Sequence, residues 1–260
     1  MMALLHDYLA PLPGLLGLAV VAWGISTLRH NVGLVDLFWS LFFLLVAGWH
    51  FAAVPGPSLR GAILMSLVLV WALRLTIHLA ARNWNAPEDH RYQAIRARNQ
   101  PGYVLKSLYL VFGLQALLAF VISMPLAAAL RATDAGLGAV GVVGAVLALA
   151  GLLFETLADA QLAAFKRDPA NRTAVMDRGL WAYSRHPNYF GECCLWWGFY
   201  LIAADAGAAW TVFSPLLMTL LLLRVSGVTL LEKDIGQRRP GYAEYIARTN
   251  AFIPGPRRAG

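Results

Sequence analysis

Residues 61–81 read GAILMSLVLVWALRLTIHLAA, and Arg74 is the one Asp, Glu, Lys or Arg among them. A bilayer core needs about 20 mostly apolar residues per helix, so this stretch predicts a membrane span. The span must be helical because lipid offers no partners for backbone polar groups. Over the 260 residues 59% are hydrophobic and 13% are charged. A soluble domain carries about 25% charged residues.

Six further stretches share this character, and the chain is predicted to be an all-α polytopic membrane bundle of about seven transmembrane helices. The seven predicted spans are residues 11–28, 32–54, 61–81, 107–130, 136–165, 187–204 and 208–231. Because no repeat or linker interrupts the chain, a single transmembrane domain is predicted over residues 1–260.

The distribution of Lys and Arg predicts the orientation. With the N-terminus outside and the C-terminus cytoplasmic, most of the 21 basic residues lie inside, as cytoplasmic loops require. The inner segments hold Arg29, five residues in 82–106, five in 166–185 and six in 233–258, and the outer connections hold Arg60 and Arg131. This topology explains the net charge of +7 without nucleic-acid binding.

Ionisable side chains within predicted spans indicate a polar interior. They are Asp36, Arg74, His78, Glu155, Asp159, Glu192 and Arg224. Such residues are costly in lipid and usually face a bundle interior or a water-filled cavity. Individually, each is equally consistent with an interhelical ion pair or an interfacial side chain. As a set they predict a cavity open to the cytoplasm, suited to a charged cofactor and an apolar substrate from the membrane.

Residues 183–192, YSRHPNYFGE, form the most informative local pattern. Proline suits the first position of a helix, so Pro187 predicts a helix start whose free N–H groups attract anions. Arg185 and His186 beside it favour a phosphate or carboxylate site, and Asn188 and Glu192, one turn apart, suit ribose or amide groups. The alternative is a capped helix with interfacial Arg and Tyr side chains.

Two other patterns predict no cofactor or metal. Residues 136–141 match G-x-G-x-x-G, but that fingerprint requires a soluble βαβ unit, so we interpret these glycines as helix-packing residues. Cys193 and Cys194 are neighbours in an apolar helix and resemble no metal motif. We therefore predict no metal site.

The stretch SRHPNYFGE at 184–192, followed by WWGFYL at 196–201, resembles the signature of the bacterial DUF1295 proteins of the steroid 5-alpha-reductase family. The resemblance also includes FETLAD at 154–159, FKRDPANR at 165–172, LEKD at 231–234, RPGY at 239–242 and FIP at 252–254. It covers most of the chain from the second predicted span onward.

The resemblance implies a seven-helix membrane reductase that binds NADPH from the cytosol through the C-terminal half, about residues 150–260. It further implies hydride transfer to an electron-poor carbon–carbon double bond of a lipophilic substrate, with a proton added to the neighbouring carbon. The positions that match cofactor-binding residues of the family are Asp159, Lys166, Asn188, Glu192 and Arg224, with Arg185, His186 and Tyr189 in the same motif.

Within the family that this chain resembles, the animal steroid reductases use a Gln-Glu pair and a Tyr to polarise the enone carbonyl of the substrate. This chain departs from that pattern. The corresponding stretches here are VDLFW at 35–39 and IHL at 77–79, and Leu79 stands where that Tyr is expected. Asp36 and His78 are the nearby groups able to supply a proton, and we predict them to be catalytic.

Two other functions remain open. The Arg185–Tyr189 motif and the later Glu232, Tyr242, Tyr245 and Pro254 are also similar to isoprenylcysteine carboxyl methyltransferases, which bind S-adenosylmethionine. A transporter would also carry charges within its spans, although no inverted repeat is visible. All three functions predict an integral membrane protein, and the bacterial resemblance implies an inner membrane with the cofactor on its cytoplasmic side.

Overall fold

The computed structural model describes residues 2–56, 58–132, 136–225, 232 and 241–258, and no strand occurs in these ranges. The all-α prediction is confirmed for this part of the chain. The molecule divides into two compact units. The first unit consists of residues 1–137 with 206–208, and the second of residues 138–205 with 209–260. The predicted single transmembrane domain stays a prediction.

The first unit is built around a pair of long apolar helices, α3 and α4. Its helices are α1 (Met2–Leu9), α2 (Leu12–Leu28), α3 (Val35–Ala52), α4 (Leu59–Asn83), α5 (His90–Arg98), α6 (Tyr103–Ser107), α7 (Leu114–Ile122) and α8 (Met124–Arg131). A π-helical turn, Leu108–Gly113, joins α6 to α7. Ser40 of α3 donates to the Ala72 carbonyl of α4 at 3.0 Å, and the rings of Phe43 and Trp71 pack 5.7 Å apart.

The second unit is built on α9 and α10. Its helices are α9 (Ala139–Arg167), α10 (Pro187–Asp205), α11 (Phe213–Leu220) and α12 (Tyr242–Arg248). At 1.5 Å per residue, the 29 residues of α9 extend about 44 Å. Because a hydrocarbon core is about 30 Å thick, part of α9 must reach beyond it or tilt within it.

Glycine determines how closely α9 and α10 approach each other. A Cβ added to Gly151 would lie 2.5 Å from the carbonyl oxygen of Gly191. One added to Gly198 would lie 2.5 Å from the backbone nitrogen of Ala148 and 2.6 Å from the carbonyl oxygen of Gly144. Small residues allow this backbone-to-backbone contact, which is typical of helix pairs in membranes.

Five helices among the described residues are long and apolar enough to cross a membrane. They are His6–Leu28, Val32–Ala52, Leu59–Asn83, Tyr103–Ile122 and Ala139–Arg167. They coincide with the first five predicted spans and support an integral membrane protein. The sixth predicted span forms the 19-residue α10, and the described part of the seventh forms the shorter apolar helix Ala209–Arg224. The count of seven and the orientation stay predictions.

The predicted fourth span, residues 107–130, differs from the structure. The apolar helix begins earlier, at Tyr103, and ends at Ile122, and the separate helix α8 follows. Pro125 occupies the first turn of α8, where its missing N–H costs nothing, whereas it would break the interior of a continuous helix. Apolar periodicity alone did not reveal this break.

The glycine contact makes a specific prediction for thermal stability. Gly198→Ala should destabilise the protein by about 1–3 kcal/mol because the added methyl meets backbone atoms that cannot move aside. Gly24→Ala is the matched control, since a Cβ there meets no atom within 4 Å, and it should leave stability unchanged or slightly raised. Thermal unfolding of the two variants in one detergent measures the difference, and equal midpoints would contradict the proposed contact.

Candidate functional site

The α9–α10 pair carries a set of buried and half-buried polar side chains on its facing helices. Asn188 Nδ2 of α10 donates to Asp159 Oδ1 of α9 at 3.1 Å. Glu155, one turn before Asp159, and Glu192, one turn after Asn188, are also buried. The structure therefore brings the predicted residues Asp159 and Asn188 into direct contact and places two more carboxylates on the same two helices.

Arg185, just before α10, is held by several acceptors. Its Nε and Nη2 donate to the two carboxylate oxygens of Glu232 at 2.7 and 2.9 Å. Its Nη1 donates to the carbonyl oxygens of Thr249 at 2.5 Å and Ile246 at 3.2 Å. A guanidinium has five N–H donors, so most of this one is committed. The arrangement favours a positioning role for Arg185 over a direct phosphate contact.

His186 and Tyr189 complete this group around Glu232. His186 Nε2 lies 3.0 Å from Glu232 Oε1, and the Tyr189 ring stacks on the imidazole with centroids 5.7 Å apart and planes 5° apart. The structure thus joins Arg185, His186 and Tyr189 into one cluster at the N-terminus of α10. Glu232 entered the sequence analysis only as part of the two family resemblances and was not predicted as a site residue, and the structure makes it the centre of the cluster.

The C-terminal segment 241–258 covers this end of α10. Ser184 Oγ donates to the Phe252 carbonyl at 2.8 Å, and the Arg185 backbone N–H donates to the Asn250 carbonyl at 2.9 Å. The Tyr245 hydroxyl donates to a carbonyl oxygen of the loop before α10 at 2.6 Å. The tail and the α9–α10 loop therefore form one hydrogen-bonded layer.

The remaining predicted cofactor residues lie at helix ends. Lys166 is exposed at the end of α9, and Arg224 is exposed in the π-helical turn Leu221–Val225. Three exposed guanidinium groups lie beside Lys166: that of Arg167 at the last residue of α9, and those of Arg172 and Arg178 in the loop after it. Within the described part of the chain, these three side chains form no hydrogen bond or ion pair. The loop therefore presents uncommitted positive charge.

A second polar cluster lies in the first unit. Asp36, in the first turn of α3, accepts a hydrogen bond from the Tyr92 hydroxyl at 2.5 Å and one from Arg91 Nη2 at 3.3 Å. Gln115 Nε2 donates to the same Tyr92 oxygen at 3.2 Å. His78, the other residue predicted to be catalytic, is half-buried on α4. The hydroxyl group of Tyr92 therefore contacts the Asp36 carboxylate.

Sequence reasoning missed Tyr92 because it lies in a polar connection, 56 residues from its partner. Burial raises the pKa of the Tyr92 phenol well above its usual value, and the charge of Asp36 raises it further. The phenol therefore keeps its proton throughout the physiological pH range. A positioned tyrosine hydroxyl is one of the groups that can act as a general acid.

Comparison with known proteins assigns the chain to a family. A family model described as a protein of unknown function, DUF1295, matches residues 22–249. The chain belongs to the DUF1295 family. An uncharacterized protein of Schizosaccharomyces pombe is 27% identical over 268 residues, which cover 90% of this chain and 76% of that relative. No solved structure shows a significant match.

The DUF1295 match includes both polar clusters. The Asp36–Tyr92 pair and the Asp159–Asn188 pair lie within the matched residues, as do Arg185 and Glu232. The resemblance inferred from the SRHPNYFGE stretch is therefore confirmed at the level of this family. The family description assigns no reaction, so the chemistry has to be argued from the side chains.

The Glu232 cluster predicts a loss of stability in acid. Burial acts to raise the pKa of Glu232, but hydrogen bonds from His186 and Arg185 outweigh it and lower the pKa from 4.5 to about 2. Since the folded-state pKa is depressed, the stabilisation is complete above about pH 4.5 and is lost as the pH falls towards 2. Thermal midpoints measured between pH 6 and 3 should fall more steeply for the wild type than for Glu232→Gln. Parallel curves would contradict the proposed ion pair.

Proposed function

We propose that this DUF1295 protein is an NADPH-dependent membrane reductase that transfers a hydride to an activated carbon–carbon double bond of a lipophilic substrate, steroid-like or another enone. The observation that carries the proposal is the hydrogen bond between buried Asp159 of α9 and half-buried Asn188 of α10. The resemblance to steroid 5-alpha-reductases assigns both positions to cofactor binding. The localisation that accompanies it is a bacterial inner membrane with the cofactor on the cytoplasmic side.

The residues present fit a phosphorylated dinucleotide. Carboxylates accept hydrogen bonds from ribose hydroxyls, and an amide can both donate to and accept from a carboxamide. Asp159 and Glu192 provide the carboxylates, and Asn188 provides the amide. Cationic side chains recognise phosphates, and Lys166 and Arg224 would serve them alongside the loop guanidinium groups. Bound NADPH supplies the hydride, so the protein needs positioning and electrostatics instead of a nucleophile.

The uncommitted arginines distinguish the reductase from the methyltransferase alternative. S-adenosylmethionine carries a sulfonium and an amino acid group but no phosphate. Arg167, Arg172 and Arg178 are exposed and have no ion pair among the described residues, which suits a ligand of high negative charge. The same feature offers no advantage to S-adenosylmethionine, so it favours the reductase.

The proton in this reaction is assigned to the Asp36–Tyr92 pair. In the proposal, the Tyr92 phenol supplies the proton that the reduced double bond requires. Asp36 and Gln115 fix the position of the hydroxyl, and the phenolate regains a proton from solvent before the next turnover. Asp36 stays in the proposed catalytic site, where it positions the Tyr92 hydroxyl. Tyr92 takes the role of proton donor, for which the sequence had suggested His78.

Cofactor affinity tests the first half of the proposal. Asn188→Ala should weaken NADPH binding roughly tenfold, because it removes hydrogen bonds to polar groups in a buried site. Tyr200→Phe is the matched control on the same helix: its hydroxyl forms no hydrogen bond among the described residues, and its ring contact with Trp197 is retained. Binding to detergent-purified protein is measured by thermal shift with NADPH, NADH and S-adenosylmethionine. Stabilisation by S-adenosylmethionine alone would replace the reductase with a methyltransferase.

Turnover tests the proton donor. Tyr92→Phe should reduce turnover roughly 10²–10⁴-fold while NADPH affinity stays unchanged. Because the pKa of Tyr92 is raised well above 10, wild-type activity should hold from pH 6 to pH 9. An imidazole acid would instead lose activity as the pH rises through about 6.5. A pH profile that falls at this value, together with full activity of Tyr92→Phe and loss in His78→Gln, would return the role to His78.

A further inference from the structure

A surface cavity of about 400 Å³ lies in the first unit, where the turn after α2 meets the segment after α4. Residues 28–31 form one wall and residues 84–88 the other. Two hydrogen bonds join the walls: Arg29 Nη2 donates to the Trp84 carbonyl at 3.0 Å, and Asn31 Nδ2 donates to the Ala86 carbonyl at 3.1 Å. The backbone on both sides is therefore fixed around the cavity.

The cavity is positively charged. Its one carboxylate, Glu88, is neutralised by Arg96, whose Nε and Nη2 donate at 3.0 and 2.8 Å. Glu88 also accepts from the Val32 backbone N–H at 2.8 Å. Arg29 uses only Nη2 for hydrogen bonds, to Trp84 and to Asn85 Oδ1, and its guanidinium lies 5.1 Å from the Trp84 ring centroid. Within the described residues its Nε and Nη1 donate to no protein acceptor, so they remain available to an anion.

An unusual backbone conformation brings a second donor to the same wall. His30 has a φ of 52°, a left-handed conformation that side chains other than Gly rarely adopt. Hydrogen bonds from His30 N to the Thr27 carbonyl at 3.1 Å and from Asn31 N to the Ser26 carbonyl at 3.0 Å hold this turn. The exposed imidazole lines the cavity. Retained strain of this kind is often associated with ligand binding.

Apolar side chains beside the cavity distinguish a lipid from a soluble anion. Leu28 is 81% exposed and Trp84 45% exposed. Ile77, which is two turns before Trp84 and 67% exposed, continues the same face of α4. Leu28 is the last residue of one candidate span and Trp84 directly follows another, which ends at Asn83. Trp is enriched where a membrane meets water. An acyl chain along α4 would place its phosphate at Arg29.

We propose that this cavity binds the phosphate of an anionic phospholipid headgroup, with the phosphate on Arg29 and His30 and the acyl chain along Leu28 and Ile77. The unused Nε and Nη1 of Arg29 can each donate a charge-assisted hydrogen bond to a phosphate oxygen. Asn85, which also lines the cavity, adds an amide donor for the glycerol or headgroup hydroxyls. The site does not depend on the proposed reductase activity, because it shares no residue with the proposed cofactor positions or with the Asp36–Tyr92 pair.

Native mass spectrometry of delipidated protein, titrated with phosphatidylglycerol or phosphatidylcholine, tests the proposal. The wild type should retain phosphatidylglycerol about tenfold more tightly than Arg29→Gln, since a charge-assisted hydrogen bond is lost. Asn85→Asp should lose affinity equally while it keeps the hydrogen bond from Arg29, because its carboxylate repels the phosphate. This second variant preserves the walls if Arg29→Gln impairs folding.

Arg98→Gln is the control, because Arg98 is exposed on α5 and the substitution removes the same single unit of charge. It should bind phosphatidylglycerol like the wild type. Equal lipid affinity in the wild type and Asn85→Asp would overturn the proposal. Displacement of the lipid by inorganic phosphate or by NADPH at equal concentration would also overturn it, since the cavity would then take a soluble phosphate. Neither result bears on the proposed reductase, because the effect of Asn188→Ala on NADPH binding is measured separately.

Discussion

The contact between the backbones of α9 and α10 is the interaction on which the second unit depends. Gly151 of α9 and Gly191 of α10 leave no room for a Cβ between the helices, and Gly198 repeats this contact two turns further along. Because the axes approach so closely, short polar side chains reach each other across the pair. Asp159 and Asn188 can therefore form a hydrogen bond that two helices with a larger interaxial distance would not allow.

Polar groups at the end of this pair are stabilised by the tail. Arg185 donates hydrogen bonds to Glu232 and to two carbonyl groups of the C-terminal segment. The pairing with Arg185 lowers the pKa of Glu232. An arginine near the membrane is costly unless its donors are satisfied. The tail removes this cost, and it fixes the loop before α10 at the same time. Side chains of the SRHPNYFGE motif thus hold this part of the structure together, besides the ligand-binding role proposed for them.

Sequence patterns predicted the apolar helices well and the contacts between distant residues poorly. Runs such as residues 61–81 depend only on local composition, and the bilayer imposes their length. The four-residue spacing of Asn188 with Glu192 also predicted that the two side chains lie one turn apart on α10. Nothing local indicates that Tyr92 meets Asp36, because that contact depends on how α5 folds back. The break before Pro125 was missed because the residues on both sides remain apolar.

The glycine contact also limits which parts of the second unit can move. A helix interface filled with long side chains can open by rotamer changes, but two backbones in contact have no rotamers to change. The α9–α10 pair therefore behaves as a rigid wall. Among the described segments beside this wall, the loop at residues 168–186 and the C-terminal segment at residues 241–258 are joined by hydrogen bonds, and we expect motion there instead. The rate of such opening would be governed by the hydrogen bonds between those two segments.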